Sequence, residues 1–478
     1  MPTQSNQLAT PATPSISAWV SSDVLRTKFA AAMSQMYREE VPQYGSLIAL
    51  VAATNAQVLA QDPALADHMR ASGDLARLDV ERHGAIRVGT AQELSTLRHV
   101  FAIMGMEPVG YYDLSVAGVP VHSTAFRPVT DEALQANPFR VFTSLLRLEL
   151  IADPALRGQA QRILAQRQIF TPQLLALLQV HQTQGGLHAE QADEFVQQAL
   201  QTFRWHSQAT VDAATYDALQ GQHRLIADVV CFKGPHINHL TPRTLDIDAA
   251  QAAMPAHGMD AKEVVEGPPK RQCPILLRQT SFKALREPIQ FVGASSNDQG
   301  AHTARFGEIE QRGVALTRKG RRLYDQLLAQ VRDMGQAGNA APDYAMRLEQ
   351  AFAQFPDDHV LMHQQGLAFY RYSLTEAGKV QAVQWAAASA PDWNAAIAQG
   401  WVRIEPIIYE DFLPVSAAGI FQSNLGGQEQ KSYAEQAAQA QLEAALGTAV
   451  HDEIALYAQA QARSQAQVLH TLQATVAA

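Results

Sequence analysis

The sequence predicts an α+β fold, and three features of the chain lead to this prediction. Two strand-rich segments, about residues 79–130 and 227–313, each contain a strand, a helix and further strands in that order. Long helical stretches lie between and after them. Apolar residues make up 47% of the 478 residues and charged residues 17%, which is typical of a folded globular chain. We therefore expect a sheet formed by both units, with large helical insertions.

Composition argues against several functional classes. The net charge is −9 and there is no block of lysine and arginine, so binding to nucleic acid or to an anionic membrane is not expected. Cys231 and Cys273 are too few for a disulfide scaffold or a Cys-only zinc site. No apolar run approaches the roughly 20 residues of a membrane span. Residues 1–17 lack the features of a secretory signal, so we expect a cytoplasmic protein. The sequence does not indicate an oligomeric state.

Three regions of the chain differ in composition. Residues 1–17 are rich in Ser, Thr, Pro and Gln and are predicted to be disordered. Residues 18–430 contain both strand-rich units and are predicted to form a single domain. Residues 431–478 are rich in Ala and Gln, which predicts a helical tail.

The first strand-rich unit follows predicted helices from Ser22 to about Glu40, near 43–60 and near 63–78. A strand is predicted in DVERHGAIRVGT, because Val and Ile alternate with polar residues before a Gly-Thr pair. Thr90 and Glu93 then form a capping box for the next helix, which ends at Gly105. Two further strands are predicted in MEPVGYYDL and PVHSTAFRPV.

The second unit is larger and is interrupted by loops. Four helices are predicted before it, and strand-like sequence returns at Ala227. A helix and three strand-like segments follow, and a largely helical region and one more strand-like segment complete the pattern. In chain order these are helices near 138–152, 154–166, 171–182, 189–203 and 246–256, the strand segments PILLRQTSF, PIQFV and TARFGEIEQRG, helices over 317–400 and the strand-like WVRIEPIIYEDFLP.

Three short patterns contain residues that could bind a metal. In RHGAIR, His83 and Arg87 share a face of the predicted strand, because alternate residues of a strand point the same way. Such a pair could hold a metal and the carboxylate of a ligand on that metal. The same pattern also fits an edge strand whose polar side faces water.

The second pattern, GPHINHLTPR, contains two histidines. His236 and His239 fall on opposite faces of any regular strand, so only one is expected to point at a given site. His239 shares its face with Ile237 and is the better candidate for the interior. Two exposed histidines in a loop are the alternative interpretation.

The third pattern, RFGEIEQRG, places Glu308 and Glu310 on the same strand face as Phe306. Two carboxylates beside an aromatic ring are unfavourable unless they are solvated, paired or bound to a cation. A solvated outer face fits this segment equally well. Strand alternation does not separate the two glutamates.

Two histidines and one carboxylate from separate strands match the facial triad of non-haem Fe(II) sites, which leaves coordination positions free. The same ligands suit catalytic zinc, so they do not decide the metal. The sequence contains no P-loop, GxGxxG, GxSxG or HExxH motif, which argues against the corresponding enzyme classes.

Five longer segments resemble the 2-oxoadipate dioxygenase/decarboxylase family. The resemblance covers about residues 20–430 and does not extend into the tail after Gly426. It rests on ERHGAIRVGT, VHSTAFRP, ADVVCFKGPHINHLTPRTLDID, HTARFGEIEQRG and FLPVSAAGIFQSNL.

The resemblance implies an open β-barrel like that of the vicinal-oxygen-chelate enzymes, in which paired βαβββ units surround a metal. It further implies an Fe(II) enzyme that converts 2-oxoadipate and O₂ into 2-hydroxyglutarate and CO₂ in lysine breakdown. The substrate would chelate the metal through its C1 carboxylate and keto oxygen. The metal ligands would be His83, His239 and Glu308.

The resemblance also assigns residues to the substrate. Arg87 would hold a substrate carboxylate, for which its forked guanidinium is suited. Val415 and Ser416 would line the substrate pocket, with Ser416 offering a hydroxyl or a backbone donor. Two alternatives remain: a glyoxalase-like isomerase that uses zinc or nickel, and a non-catalytic protein that binds 2-oxo acids.

Three further residues carry positional expectations. His122 lies on a predicted strand of the first unit and could face the barrel interior near the metal. Arg127, five residues further on, would then lie on the opposite face and outside the pocket. His236 is expected not to bind the metal.

Overall fold

The computed structural model describes residues 19–293, 299–334, 341–381, 392–413 and 431–477. Within these ranges it is a mixed α and β structure, as predicted. The segment 1–17 lies outside the described residues, as do Val415 and Ser416.

Four helices precede the first strand. The first begins after Ser21, whose side chain accepts a hydrogen bond from the backbone N–H of Val24 at 3.3 Å, so the N-cap lies one residue before the predicted Ser22. Gly73, at φ +81°, separates the third and fourth helices within the region predicted as one. The four are α1 (Ser22–Glu40), α2 (Pro42–Gln61), α3 (Pro63–Ser72) and α4 (Asp74–Val80).

The first strand-rich unit has the order strand, helix and three strands. Thr90 and Glu93 form the predicted capping box at the start of its helix. Its elements are β1 (Arg82–Val88), α5 (Ala91–Ile103), β2 (Glu107–Asp113), β3 (Val121–Arg127) and β4 (Arg140–Leu146), with the short helix α6 (Asp131–Ala136) before β4. The strands form one sheet with the order β2-β3-β4-β1, in which β1 and β4 are parallel.

The helix predicted near 138–152 is wrong, because this segment contains β4. The strand is buried along its whole length and pairs with β1 on one side and β3 on the other. A strand that is covered on both faces shows no polar alternation, so its apolar run is hard to distinguish from a buried helix.

The helical insertion between the two units contains five helices. They are α7 (Pro154–Ala165), α8 (Pro172–Gln184), α9 (Ala189–Gln201), α10 (Ala213–Gln222) and α11 (Arg224–Val230). The strand-like segment predicted from Ala227 begins instead as the second half of α11, and its strand comes later, at Leu240–Pro242. The start of α11 is capped by His223, which accepts a hydrogen bond from Leu225 N at 3.1 Å.

The second unit is attached to the first sheet by a short strand. Its elements are β5 (Leu240–Pro242), α12 (Ile247–Ala253), β6 (Leu277–Ser281), β7 (Arg286–Gln290), β8 (Gln299–Thr303) and β9 (Glu308–Arg312). β5 pairs antiparallel with β1 as the fifth strand of that sheet, and a bridge between Arg243 and Glu310 joins it to β9. β6 pairs with β9, and β7 pairs with β8.

The rest of the chain packs against these units. A strand pair lies in this part: Tyr370–Leu374 interrupts the region predicted to be largely helical, and Val402–Pro406 lies in the segment predicted to be strand-like. The elements are α13 (Arg318–Met334), α14 (Ala341–Phe352), α15 (His359–Gln364), β10 (Tyr370–Leu374), α16 (Glu376–Val380), α17 (Trp393–Ala398), β11 (Val402–Pro406), α18 (Lys431–Leu446) and α19 (Glu453–Ala477). Among the described helices, none has the length and apolar character needed to cross a bilayer.

Candidate metal centre

The three predicted ligands lie together in the interior. His83 is on β1, His239 directly precedes β5, and Glu308 begins β9; all three are buried. One ligand atom from each lies within 4.8 Å of the other two. Glu308 Oε1 is 3.1 Å from His83 Nε2 and 3.8 Å from His239 Nε2. The ligand atoms therefore converge on a volume that a single cation can occupy.

Strand pairing explains this convergence. In the β1–β5 pair, His83 is opposite Thr241 and Gly84 is opposite Leu240, which places His239 beside the middle of β1. The bridge from Arg243 to Glu310 then aligns β9 with β5. Residues that are far apart in the sequence thus meet at one point of the sheet.

Glu308 is a buried carboxylate that lacks a permanently charged partner. Thr241 Oγ1 and Gln279 Nε2 donate hydrogen bonds to its Oε1 at 3.1 and 2.8 Å. Among the described residues, no lysine or arginine lies within ion-pair distance of it. A buried carboxylate without a counter-charge is unfavourable, so this donor set fits a bound cation.

Glu310 holds the other nitrogen of His83. Its Oε2 lies 2.9 Å from His83 Nδ1, and Arg312 donates two hydrogen bonds of 2.8 Å to its carboxylate. A carboxylate beside the outer nitrogen of a ligating histidine favours one orientation of the ring. The two glutamates that sequence could not separate therefore have different contacts: Glu308 faces both imidazoles, and Glu310 supports one of them.

The electrostatic environment favours positive charge at His83 and a free lone pair at His239. Burial alone would lower the pKa of His83, but the carboxylates of Glu310 and Glu308 outweigh this effect and raise it. Burial lowers the pKa of His239 to about 4, so its imidazole is neutral at pH 7. A field that attracts a proton to His83 also attracts a divalent cation.

Several buried polar atoms around the ligands have no hydrogen-bond partner among the described residues. They include His83 Nδ1, which lies close to Glu310 but without hydrogen-bond geometry, together with His239 Nδ1, Gln279 Oε1 and Ser281 Oγ. Gln279 and Ser281 are opposite Glu310 and Glu308 in the β6–β9 pair, so they face the same side. The sequence analysis did not identify these two residues, although they occupy alternate positions of the predicted strand PILLRQTSF.

Arg87 lines a cavity of about 220 Å³ on the same face of β1 as His83. Arg224, Lys262 and Lys283 also line the cavity, and Asp228 is the one acidic residue among its described lining. The cavity is next to the ligands: Phe306, another lining residue, has its ring centroid 4.8 Å from that of His239. The site therefore combines a cation-binding cluster with a strongly basic cavity.

His236 lies outside the ligand cluster, as predicted. Its Nε2 is 3.4 Å from Asp228 Oδ1 and 3.2 Å from Asn238 Nδ2. Burial lowers its pKa to about 3.

His122 and Arg127 lie on opposite faces of β3 and Arg127 does not line the basic cavity, as predicted, but the interior face is that of Arg127. His122 is opposite Leu145 and lies on the outer face of the sheet, where it contacts the backbone of Ala438 in α18. Arg127 lies on the interior face and donates to Asp411 Oδ1 at 2.6 Å. Which face of β3 is inside depends on pairing with β4, and β4 was not predicted as a strand.

A second buried polar region lies behind His83. We call it the arginine network: Arg77, Arg140, Arg243 and Arg312 with Glu81, Glu310 and Glu410. Each guanidinium has a carboxylate partner; Arg140 lies 2.6 Å from Glu81, for example. Arg77, Arg243 and Arg312 also line a larger cavity of about 760 Å³, which contains none of the three metal-ligand candidates.

Comparison with known proteins gives consistent matches over most of the chain. A model of the 2-oxoadipate dioxygenase/decarboxylase family matches residues 29–424. The 2-oxoadipate dioxygenase/decarboxylase of Escherichia coli (strain K12) is 59% identical over 446 residues, which are 93% of this chain and 98% of the relative. Its counterpart in Pseudomonas putida is 59% identical over 449 residues, covering 93% and 96% of the two chains. The crystal structure of the Pseudomonas putida hydroxyglutarate synthase in complex with 2-oxoadipate has a TM-score of 0.88 and 57% identity, covering 95% of this chain and 99% of that one.

Proposed function

The chain belongs to the 2-oxoadipate dioxygenase/decarboxylase family, and we propose that it converts 2-oxoadipate and O₂ into 2-hydroxyglutarate and CO₂ with Fe(II) as cofactor. We further propose that this reaction serves lysine breakdown. The observation that carries the proposal is the convergence of His83, His239 and Glu308 beside a basic cavity.

The donor set supports a divalent iron site. His83, His239 and Glu308 would hold the metal, and two nitrogens with one carboxylate oxygen are the ligands that non-haem Fe(II) sites use. Bound Fe(II) would supply the one-electron chemistry that allows O₂ to react with the 2-oxo acid. Glu310 would keep the His83 ring in the ligating orientation through Nδ1.

The protein's remaining task is to bind and orient a dianion. Arg87, Arg224, Lys262 and Lys283 line the cavity, which suits an organic acid with a carboxylate at each end. Arg87 lies four residues beyond His83, roughly 13 Å along a strand that rises about 3.3 Å per residue. Its side chain can span part of this distance and meet the carboxylate furthest from the metal.

We also propose that the two strand-rich units form a vicinal-oxygen-chelate-like open barrel within a single domain of residues 18–430. The element order of the first unit, β1-α5-β2-β3-β4, supports this proposal. The assignment of Val415 and Ser416 to the substrate pocket rests on the sequence resemblance alone.

Oxygen uptake tests the proposal directly. The purified protein, loaded with Fe(II) under anaerobic conditions, is mixed with O₂ and a panel of 2-oxo acids of different length and charge. We expect O₂ consumption and CO₂ release in equal amounts with 2-oxoadipate, and 2-hydroxyglutarate as the product. A protein that binds zinc or nickel and consumes no O₂ would support the isomerase alternative instead.

A further inference from the structure

Asp228 has an unusual position in the basic cavity. It is the one acidic residue among the described residues that line the cavity, and an acid there repels an anionic substrate. It lies on α11 and its side chain is 5% exposed. Because the carboxylate is buried, contact with water does not explain why an acidic residue occupies this position.

The contacts of Asp228 lead to Arg87. Its Oδ2 accepts a hydrogen bond from Arg87 Nη1 at 2.8 Å. A guanidinium has five N–H donors, and this contact uses one of them. The Arg87 side chain is 12% exposed at the cavity, so part of its fork is open to a ligand.

The other oxygen of Asp228 is fixed by buried aromatic side chains. Its Oδ1 lies 2.9 Å from His302 Nε2 and 3.4 Å from His236 Nε2. His302 Nδ1 in turn lies 2.8 Å from the hydroxyl of Tyr216, and the Trp205 ring stacks on His302 at 5.9 Å between centroids. Both ring nitrogens of His302 are thus held, which fixes the orientation of the carboxylate.

We propose that Asp228 is a positioning residue that orients the Arg87 guanidinium toward the distal carboxylate of a 2-oxo diacid, with Tyr216 and His302 holding Asp228 in place. The proposal rests on the proposed function, because it assumes that the ligand is a diacid bound at the metal. A guanidinium that is already oriented loses less conformational entropy when it pairs with a carboxylate. Asp228 would therefore favour diacids over monoacids of equal length.

The test is the preference for 2-oxoadipate over 2-oxohexanoate, which has the same chain but no distal carboxylate. In Asp228→Asn we expect kcat/KM for 2-oxoadipate to fall roughly tenfold, mainly through KM, because the uncharged amide offers only one acceptor oxygen to the two donors Arg87 and His302. The value for 2-oxohexanoate should change less than about threefold, and bound metal should be unchanged. If Asp228 had only a structural role, Asp228→Asn would lower kcat/KM equally for both substrates. If Asp228 only repelled the substrate, the substitution would lower the KM for 2-oxoadipate. Either result overturns the proposal.

Two further variants complete the experiment. Asp248→Asn breaks a different Arg–Asp pair, with Arg278, and should leave the preference unchanged. Tyr216→Phe removes the hydrogen bond to His302 without changing any charge and should shift the preference in the same direction by a smaller factor. It therefore tests the proposal even if Asp228→Asn does not fold, and an unchanged preference in a folded Tyr216→Phe would then overturn it.

Calorimetric binding of 2-oxoadipate to the zinc-loaded protein separates this proposal from the proposed function. Tight binding to the unmodified protein without O₂ uptake in its Fe(II) form would overturn the proposed function alone. Equal affinity of Asp228→Asn and the unmodified protein would overturn the positioning role alone. Absence of binding to the unmodified protein would overturn both.

Discussion

The two buried polar regions on either side of His83 differ in how their charges are balanced. In the arginine network, Glu81 is fully buried and lies within ion-pair distance of four arginines, Arg77, Arg140, Arg243 and Arg312. In the metal centre, Glu308 is buried beside two imidazoles with no arginine or lysine at that distance among the described residues. In the first region every guanidinium has a carboxylate partner within the protein, whereas the second has a donor set that fits a cation. Removal of a carboxylate should therefore lower mainly stability in the first region and mainly metal binding in the second.

The largest effect is expected in the arginine network. Glu81→Gln keeps the shape of the side chain but leaves several buried guanidiniums without their shared counter-charge. Breaking a buried ion pair from one side costs about 3–5 kcal/mol of unfolding free energy. Urea unfolding of the metal-free protein measures this loss. Asp193→Asn, which breaks the exposed pair with Lys28, is the control and should change stability by about 0–1 kcal/mol.

The same substitution in the metal centre should have the opposite profile. Glu308→Gln removes a buried carboxylate that lies beside two imidazoles and has no arginine or lysine partner among the described residues, so the metal-free protein should lose less stability than it does in Glu81→Gln, roughly 1–3 kcal/mol. Loss of a metal ligand should weaken metal binding more than about 100-fold, which exceeds the effect of about 10–100-fold that is typical of a residue that only supports a ligand. Metal titration followed by elemental analysis checks this result. His236→Ala should retain the metal, and a large loss of stability in metal-free Glu308→Gln would contradict the comparison.

Arg87 distinguishes substrate binding from metal binding. Arg87→Ala should leave the metal in place but lower kcat/KM for 2-oxoadipate. The corresponding activation free energy should rise by about 2–4 kcal/mol, within the range for losing one partner of a buried charge pair. Arg87→Lys should restore only part of the activity, because an ammonium keeps the charge but not the fork. Steady-state oxygen uptake measures both variants. Nearly unchanged kcat/KM in Arg87→Ala would place this residue outside the substrate site.

Glu310 belongs to both regions and sharpens the comparison. It supports His83 in the metal centre and pairs with Arg312 in the arginine network. Glu310→Gln should therefore weaken metal binding by about 10–100-fold and also lower stability, by roughly 1–3 kcal/mol. Metal titration and urea unfolding of the same preparation test the two effects. A change in only one of them would assign Glu310 to a single region.

The sequence predicted which side chains converge better than it predicted their surroundings. His83, His239 and Glu308 stand in long, unusual motifs, and the period-2 rule placed His83 and Arg87 on one face of β1. The distinction between Glu308 and Glu310 required the register between β9 and β5, which is a tertiary property. Asp228 was missed because no local pattern links α11 to β1, and because the apolar sequence around Val229 and Val230 was interpreted as a strand. The interior face of β3 was assigned wrongly because its neighbour β4 was predicted as a helix.

His122, on the outer face of that strand, gives the smallest expected effect. It is 1% exposed beneath α18, and burial lowers its pKa to about 4 from an ordinary value near 6.5. Because the unfolded chain binds a proton below pH 6.5 that the folded chain does not, stability falls as the pH decreases from about 6.5 to about 4. Between pH 7.5 and pH 5.5 this residue should account for about 1 kcal/mol of the loss.

His122→Asn, unfolded by urea at both pH values, should lose about that much less stability than the unmodified protein. The remaining acid sensitivity belongs to other buried histidines such as His236, so the difference between the two proteins, rather than either value alone, measures His122. An identical pH dependence in both would show that His122 can be protonated without disturbing the contact with α18.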